Sequence, residues 1–286
     1  MKNSKGIIYT LIGIVVLVGI VFGIHTLTGN TSSAKSATIT VGSQGSDYDI
    51  WNHIADSKQA KKLGLKIKVK QITDGVQLNN ATAQGSVDVN AFQSYSYLQA
   101  YNQEHKKAQL AALGTTYLEP LGIYSDKYKK VSELPDGATV AIANNPANTA
   151  RGLLLLQSAG LIKLDKNFGA LGNTSDIASN PKHLKFKEID DTTGPRVLHN
   201  LDAVLISNTV ALEGHLNVLK DSIFHEKIDV STRSNINVLA TAKKNKDNKN
   251  YKKLVKLYHN AAIQKYIKDK YDGTKVEVQK PLSYLK

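Results

Sequence analysis

The amino-acid sequence predicts an α/β protein. Short apolar or alternating segments, which are typical of strands, are followed repeatedly by longer segments whose apolar residues recur at helical spacing. Glycines stand directly after three of the helical segments, at Gly64, Gly85 and Gly160, where helices commonly end. With 286 residues, of which 41% are hydrophobic, the chain is long enough for two domains that each bury a core.

The predicted elements run in order from residue 38 to the region of the C-terminus. Strands are predicted at 38–41, 65–71, 87–90, 138–143, 184–189, 203–206 and 237–242, with a turn at 42–46 after the first of them. Helices are predicted at 47–63, 74–84, 95–107, 146–159 and 247–270. The helix at 146–159 has the clearest start, because Asn144 or Asn145 suits the N-cap and Pro146 the first helical position. The last helix carries an apolar stripe of Leu254, Leu257, Tyr258, Ala261 and Ala262.

An apolar run at 7–24 precedes the first predicted strand. Its 18 residues would make a helix about 27 Å long, just enough to span a bilayer. We interpret residues 1–36 as an uncleaved membrane anchor and a flexible tether, although Ser32 and Ala34 would also suit the cleavage site of a secretory signal. Because Lys2 and Lys5 precede the run, the rest of the chain is expected on the extracytoplasmic side of the membrane.

The charge of the chain is strongly positive, but its composition argues against a nucleic-acid partner. Lysine and arginine total 37 against 24 acidic residues, a net charge of +13. Only three of the 37 are arginines (Arg151, Arg196 and Arg233), whereas nucleic-acid readers rely on the guanidinium fork. A lysine-rich surface is compatible with simple solvation and also with binding to anionic lipid or wall polymer.

Enzyme and metal signatures are missing from the sequence. It contains no G-x-S-x-G, H-E-x-x-H, Walker or G-x-G-x-x-G motif, and no cysteine for a thiolate site or lipid attachment. The eight histidines lack ligand spacing, and the calcium-loop-like segment 165–176 has Ala170 in place of the turn glycine. We therefore expect neither catalysis nor a cofactor.

Two segments suggest a small-molecule site. In 141–157 a strand, an Asn-rich turn and a helix bring Arg151 near a helix N-terminus, a combination that would hold a carboxylate. The alternative is that Arg151 covers its helix or pairs with a nearby aspartate. In 88–98, Phe92, Tyr95 and Tyr97 would wall a cleft for an apolar side chain, or else belong to the core of the following helix.

Several stretches of the exported part are similar to one known family. They are TITVGS (38–43), TDGVQLNNA (73–81), VDVNAFQ (87–93) with YL (97–98), LGIYS (121–125), ELPDGATVAIANNPANTARGLLLLQSAGLIKL (133–164), DIASNPKHLKFKEID (176–190) and INVLA (236–240). With these motifs the chain resembles the methionine-binding lipoproteins of the NlpA type, the extracytoplasmic receptors of amino-acid ABC importers. The resemblance implies a two-lobed type II periplasmic-binding-protein fold, with 37–121 plus 237–286 as lobe I and 122–236 as lobe II.

The resemblance also implies a set of ligand-binding residues. Arg151 would bind the carboxylate of the ligand, Phe92 and Tyr97 its apolar side chain, and Asn237 would be a polar contact near the strands that cross between the lobes.

Other pocket positions depart from the pattern of the family. Gly75 replaces a tyrosine, Ser94 a histidine, and Ser207, Asn208 and Thr209 an Asn-Gly-Asn turn. The first two changes predict a wider side-chain end, and hydroxyls in place of amides would alter how the α-amino group is held.

The function implied by the resemblance is the binding of methionine, or of another apolar amino acid, and its delivery to a permease with its ATPase. The alternatives are a receptor for a small methionine-containing peptide and a basic surface-anchored adhesin that uses the segment 243–270; a cell-wall or peptide hydrolase lacks any motif. Because this sequence has no cysteine for the acyl anchor usual in the family, the apolar run at 7–24 would replace it.

Overall fold

Two five-stranded sheets form the framework of the protein, whose computed structural model describes residues 37–227 and 229–285. The strands are β1 (Ala37–Ser43), β2 (Leu65–Gln71), β3 (Val89–Ser94), β4 (Leu110–Thr115), β5 (Tyr117–Leu118), β6 (Leu121–Tyr124), β7 (Thr139–Ala143), β8 (Lys163–Leu164), β9 (Ile177–Ser179), β10 (Lys185–Ile189), β11 (Ala203–Ser207), β12 (Phe224–His225), β13 (Asn237–Ala242) and β14 (Val276–Glu277). The helices are α1 (Gly45–Asp56), α2 (Lys58–Lys62), α3 (Gly75–Gln84), α4 (Tyr95–Glu104), α5 (Pro146–Ser158), α6 (Gly194–Val197), α7 (Asn208–Glu213), α8 (Lys249–Tyr258) and α9 (Ala261–Lys270). The α/β class predicted from the sequence is confirmed.

The first sheet has the strand order β2-β1-β3-β13-β4, and the second the order β10-β7-β11-β6-β12. In the first sheet β1 runs parallel to β2 and β3, whereas β13 is antiparallel to both of its neighbours. In the second sheet β7 runs parallel to β10 and β11, and β6 is antiparallel to β11. The chain passes from the first sheet to the second between β4 and β6, and it returns at β13.

Each strand follows the pattern of its residues. In the edge strand β2, Leu65 is buried while Lys66, Lys68 and Lys70 are exposed, so lysines protect the open edge from pairing with another chain. All six residues of β13 are buried, as expected of a strand that lies between two others and is covered on both faces. Both strands have the bounds that the sequence predicts.

Side-chain hydrogen bonds cap the N-termini of two of the helices. In α3 the Asp74 carboxylate accepts a hydrogen bond from the Gln77 amide, and Gly85 ends the helix with a φ of 85°, a conformation that glycine adopts without strain. In α5 the Asn145 side chain accepts from the Asn148 amide, directly before Pro146.

Two predicted helices are each divided into two. Residues 47–63 form α1 and α2 because Ser57 Oγ donates to the Ile54 carbonyl and accepts from the Ala60 amide, which ends one helix and starts the next. Residues 247–270 form α8 and α9 because Asn260 caps the second helix through the Ala262 amide.

The apolar stripe predicted for the last helix is therefore wrong in its second half. Leu254, Leu257 and Tyr258 are buried, but Ala261 and Ala262 are exposed, because a new helix starts at Ala261 and buries Ile263 and Ile267 instead. The predicted turn at 42–46 is also too long, since β1 continues to Ser43 and α1 starts at Gly45.

Each sheet has its own apolar core. Trp51, Ile54 and Tyr258 are among the buried side chains that pack on the first sheet, and the Trp51 ring stacks on Tyr258 with 6.2 Å between ring centroids. Leu153 and Leu156 of α5 pack on the second sheet, while Leu154, on the other face of the helix, is 46% exposed.

No helix within 37–227 and 229–285 is both long and apolar enough to cross a membrane. The apolar run at 7–24, on which the predicted anchor rests, lies outside the described residues.

Candidate functional site

A cleft with a cavity volume of about 280 Å³ lies at the carboxyl ends of the parallel strands. Gln44 and Ser94 line it from the first sheet, at the ends of β1 and β3. Asn144, Asp190 and Ser207 line it from the second sheet, at the ends of β7, β10 and β11. Loops at the carboxyl ends of such strands are the usual place for a ligand in α/β proteins.

Eight of the residues predicted for the site line this one cleft, whereas Tyr95, the third aromatic residue predicted for its wall, packs against the apolar cluster that contains Leu98. The eight are Gly75, Phe92, Ser94, Tyr97, Arg151, Ser207, Thr209 and Asn237. They come from both sheets, and the positions furthest apart in the sequence are 162 residues apart, so tertiary folding brings them together.

Arg151 lies in α5 and is bound to a glutamate. Its Nε donates to Glu226 Oε1 at 2.9 Å, and its Nη2 donates to Glu226 Oε2 at 2.5 Å and to the Glu119 carbonyl at 2.8 Å. Burial alone would lower the pKa of Arg151, but the Glu226 carboxylate raises it, so the guanidinium is cationic. Its Nη1 donates to no residue that the structure describes. The alternative expected from the sequence, a pairing with a nearby aspartate, is wrong in its partner: Arg151 pairs with Glu226, 75 positions away, and its Nη1 group remains available.

Glu226 accepts hydrogen bonds from both segments that connect the sheets. Besides Arg151, its carboxylate accepts from the Leu121 amide at 2.9 Å and from the Asn235 side chain at 3.3 Å. Leu121 starts β6, and Asn235 lies two residues before β13. The carboxylate thus holds Arg151 at the point where the chain crosses between the sheets.

The N-terminus of α5 already has a carboxylate beside it. Asp191 Oδ2 accepts from the side-chain amides of Asn145 and Asn148, at 2.8 and 2.6 Å. Burial raises the pKa of Asp191, and the two amides oppose that shift. An anionic ligand group is therefore expected at Arg151, which is the sixth residue of α5, rather than at the start of the helix.

The space that Gly75 creates is occupied by the aromatic side chains. A Cβ at Gly75 would lie 2.8 Å from Tyr97 Oη and 2.9 Å from Phe92 Cε2. The two rings meet edge to face, with 5.8 Å between centroids, and both are partly exposed to the cleft. Glycine instead of tyrosine at position 75 therefore changes the shape of the aromatic wall and does not simply widen the cleft.

Hydroxyl side chains make internal bonds around the cleft. Ser94 Oγ accepts from the Tyr97 amide at 3.1 Å and so caps α4, and Thr209 Oγ1 donates to Glu119 Oε1 at 2.9 Å. Ser207 precedes α7, and Asn237, which is 6% exposed, starts β13 opposite Ser94.

Gln44, Glu119 and Asp191 are among the cleft residues that were not anticipated from the sequence. Gln44 and Asp191 share a signal, because each comes shortly after a predicted strand: Gln44 three residues after 38–41 and Asp191 two residues after 184–189. Burial raises the pKa of Tyr97, and the negative charge of Asp191 adds to that shift, so its phenol is neutral. Within the described part of the chain, no group of three or more His, Asp or Glu side chains is arranged to hold a metal ion.

Comparisons with known proteins agree on one family. The NlpA lipoprotein family matches residues 39–279. The methionine-binding lipoprotein MetQ of Bacillus subtilis is 38% identical over 223 residues, which cover 76% of this chain and 80% of that protein. The crystal structure of protein PG110 from Staphylococcus aureus has a TM-score of 0.82 at 39% identity, with 86% of this chain and 96% of that chain covered.

A further related structure was solved with a bound ligand. It is a nutrient-binding protein from Burkholderia cenocepacia bound to methionine, with a TM-score of 0.79 at 37% identity, covering 84% of this chain and 99% of that chain. With a family match across almost all of the described residues, this chain belongs to the NlpA lipoprotein family.

Proposed function

We propose that this protein is an extracytoplasmic substrate-binding protein of an ABC importer, which binds methionine or a close apolar amino acid and delivers it to the permease and its ATPase. One observation carries the proposal: a buried cationic guanidinium and an aromatic wall share one cleft between the two sheets. These groups match the carboxylate and the apolar side chain of a free amino acid. The names of the relatives, which describe methionine-binding proteins, support the same ligand.

The carboxylate of the ligand would bind Arg151. Glu226 uses the Nε and Nη2 side of the guanidinium, so the Nη1 group is the donor that remains for the ligand. Phe92 and Tyr97 would contact the apolar side chain of the amino acid, with Gly75 allowing the two rings to stand close to the backbone.

The α-ammonium group of the ligand would bind acceptors that surround the cleft. Gln44 lines the cleft, and its buried Oε1 has no hydrogen-bond partner among the residues that the structure describes. An acceptor left in this way costs about 1–3 kcal/mol, so a donor from the ligand would be favourable there. Asn237 and the hydroxyls of Ser94, Ser207 and Thr209 would complete the polar contacts.

The cleft would close around its ligand by a movement of two lobes. We assign 37–121 plus 237–286 to lobe I and 122–236 to lobe II, a division supported by the way the strands separate into the two sheets. An amino acid bound to both lobes would favour the closed arrangement, which the permease then recognises. No covalent chemistry is needed for this role.

Calorimetric titration of residues 37–286 with L-methionine tests the proposal. We expect saturable one-to-one binding with a Kd of about 1 μM or tighter, equivalent to about −8 kcal/mol. L-lysine serves as a matched amino acid with a charged side chain, and glycyl-methionine tests the peptide alternative. Absence of heat with all apolar amino acids would exclude the proposed role, and tighter binding of the dipeptide would make a peptide the ligand.

The location that we propose is the outer face of the cell membrane. It rests on the apolar run at 7–24 and on the lysines before it, which predict a spanning anchor with the remainder of the chain outside. The anchor would keep the receptor concentrated near its permease.

A second candidate role is contact with an anionic membrane surface, and a stripe of lysines on α8 favours it. Lys249, Lys252, Lys253 and Lys256 occupy positions i, i+3, i+4 and i+7; three of them are exposed, and Lys253 is half-buried beside the buried Leu257. Like charges at this spacing destabilise a helix slightly, so an external anionic partner would relieve the repulsion.

Flotation with vesicles that contain anionic lipid tests this second role. We expect binding at 0.1 M salt that is lost at 1 M, where the Debye length falls to about 3 Å. Changing the four α8 lysines to glutamine should weaken binding by about 100- to 1000-fold, at about 1 kcal/mol for each lysine. The matched control changes four other exposed lysines to glutamine: Lys62 of α2 and Lys66, Lys68 and Lys70 of β2. Equal losses in the two variants would mean that net charge, and not the α8 stripe, is responsible.

A further inference from the structure

A lysine is completely buried behind the wall of the cleft. The side chain of Lys275 is 0% exposed, and its ammonium donates to Glu119 Oε2 at 2.9 Å, to Thr209 Oγ1 at 3.2 Å and to Asp47 Oδ1 at 3.4 Å. It also lies 4.1 Å from the centroid of the Tyr117 ring. Glu119 and Thr209 also line the cleft. Lys275 itself and Asp47 do not.

The partners of this ammonium come from both sheets. Asp47 lies in the first turn of α1, which follows β1 of the first sheet. Thr209 lies in α7, which follows β11 of the second sheet. Glu119 lies between them, in the segment through which the chain passes from one sheet to the other. The Lys275 ammonium is therefore the charge that joins α1 to α7 behind the cleft.

Glu119, which binds the Lys275 ammonium, is also hydrogen-bonded to the residues that follow β11. Its carboxylate accepts from Thr209 Oγ1 at 2.9 Å and from Asn208 Nδ2 at 2.8 Å, in addition to Lys275. Asn208 is fully buried and also donates to Thr274, the residue before Lys275. The turn that presents Ser207 and Thr209 to the cleft is thus held from behind by Glu119 and by the segment 274–275.

The cluster contains two carboxylates and one ammonium, and its charges depend on each other. Burial raises the pKa of Asp47, and the Lys275 ammonium opposes that shift. For Glu119 burial alone would raise the pKa, but the charge of Lys275 and three hydrogen bonds hold it below its usual value. Without the ammonium, the buried carboxylate of Asp47 on α1 would repel that of Glu119, which is hydrogen-bonded to Asn208 and Thr209 of α7.

We propose that Lys275 is a positioning residue of the ligand cleft: it neutralises Asp47 and Glu119 and thereby keeps Thr209 and the α1–α7 contact in the binding arrangement. This inference rests on the proposed ligand-binding function. Loss of the ammonium separates α1 from α7 through repulsion of the two carboxylates. The fraction of molecules able to bind ligand then falls, and the apparent affinity falls with it.

The test compares Lys275→Met with the double variant Asp47→Asn/Lys275→Met. We expect the single variant to bind L-methionine at least about tenfold more weakly than the unaltered protein. The double variant should regain most of that loss, because removing the charge of Asp47 removes the repulsion. Lys265→Met is the matched control, since Lys265 is exposed on α9, and it should leave the affinity unchanged.

A role of Lys275 in packing alone predicts a different result. The two substitutions would then add their losses, and the double variant would bind no better than Lys275→Met. That outcome, or an unchanged affinity in Lys275→Met, overturns the proposal.

A second readout needs no ligand. Because the chain has no cysteine, Lys62→Cys and Leu219→Cys place a single pair of spin labels on exposed positions near the two sheets. The distance distribution should broaden in Lys275→Met and narrow again in the double variant. If the unaltered protein binds no methionine, the proposed function is wrong. The distance measurement then still tests whether Lys275 holds the two sheets in one arrangement. An unchanged distribution in Lys275→Met overturns the positioning role.

Discussion

Replacement of Arg151 by alanine is expected to weaken L-methionine binding at least about 100-fold, equivalent to about 2.7 kcal/mol. The substitution removes the guanidinium that would hold the carboxylate of the ligand. It also leaves Glu226, which contacts Arg151 from outside the cleft lining, as a buried carboxylate without its cation, and this charge would repel the acidic end of an amino acid. Calorimetric titration of the purified variant measures the loss.

Two further variants make the result specific to this site. Arg196 is exposed and does not line the cleft, so Arg196→Ala should bind as the unaltered protein does. Arg151→Lys keeps the positive charge without the planar fork and should bind with intermediate affinity. If Arg151→Ala binds L-methionine unchanged, this arginine does not hold the carboxylate, and its role is limited to the contact with Glu226.

Replacement of Glu226 by alanine should lower the free energy of unfolding by about 3–5 kcal/mol. The side chains of Glu226 and Arg151 are 9% and 10% exposed, so the change leaves a buried guanidinium without its partner. It also removes the acceptor of the Leu121 amide and of the Asn235 side chain at the two crossing segments. Urea denaturation followed by circular dichroism measures the effect.

Glu188 provides the matched control for this variant, because it is an exposed glutamate of β10 in the same sheet. Glu188→Ala should change stability by no more than about 0.5 kcal/mol. The double variant Arg151→Met/Glu226→Leu removes both charges and should be more stable than Glu226→Ala, since no unpaired charge then remains. Equal stability of Glu226→Ala and Glu188→Ala would show that the pair contributes little to folding.

Local sequence signals were sufficient wherever one residue pattern decides the structure. The alternation in β2 and the apolar run of β13 predict the bounds of both strands, and Asn145 with Pro146 predicts the start of α5. The two divided helices show the limit of such signals. Ser57 and Asn260 are compatible with a helix interior as well as with a cap, and only their hydrogen bonds in the folded chain decide between the two.

For the candidate site, the sequence predicted many of the residues that line the cleft but not which side chains contact each other. The resemblance to the family pointed to eight residues that all line the cleft, and Arg151 stands near a recognisable helix start. Nothing in the sequence indicates that Glu226 binds Arg151, because the two residues lie 75 positions apart. The sequence also did not predict that Tyr97 lies close to Gly75. A glycine indicates that space is free, but it does not indicate which neighbouring side chain fills that space.

The sequence by itself determined the α/β class, the order of most strands and helices, and the residue types available for an amino-acid ligand. Only the tertiary structure decided which charges meet, and the buried contact of Lys275 with Asp47 and Glu119 is the clearest case. The physical reason is one of range. Periodicity and caps act over a few neighbouring residues, whereas a buried ion pair depends on where distant segments come together and on the water excluded there.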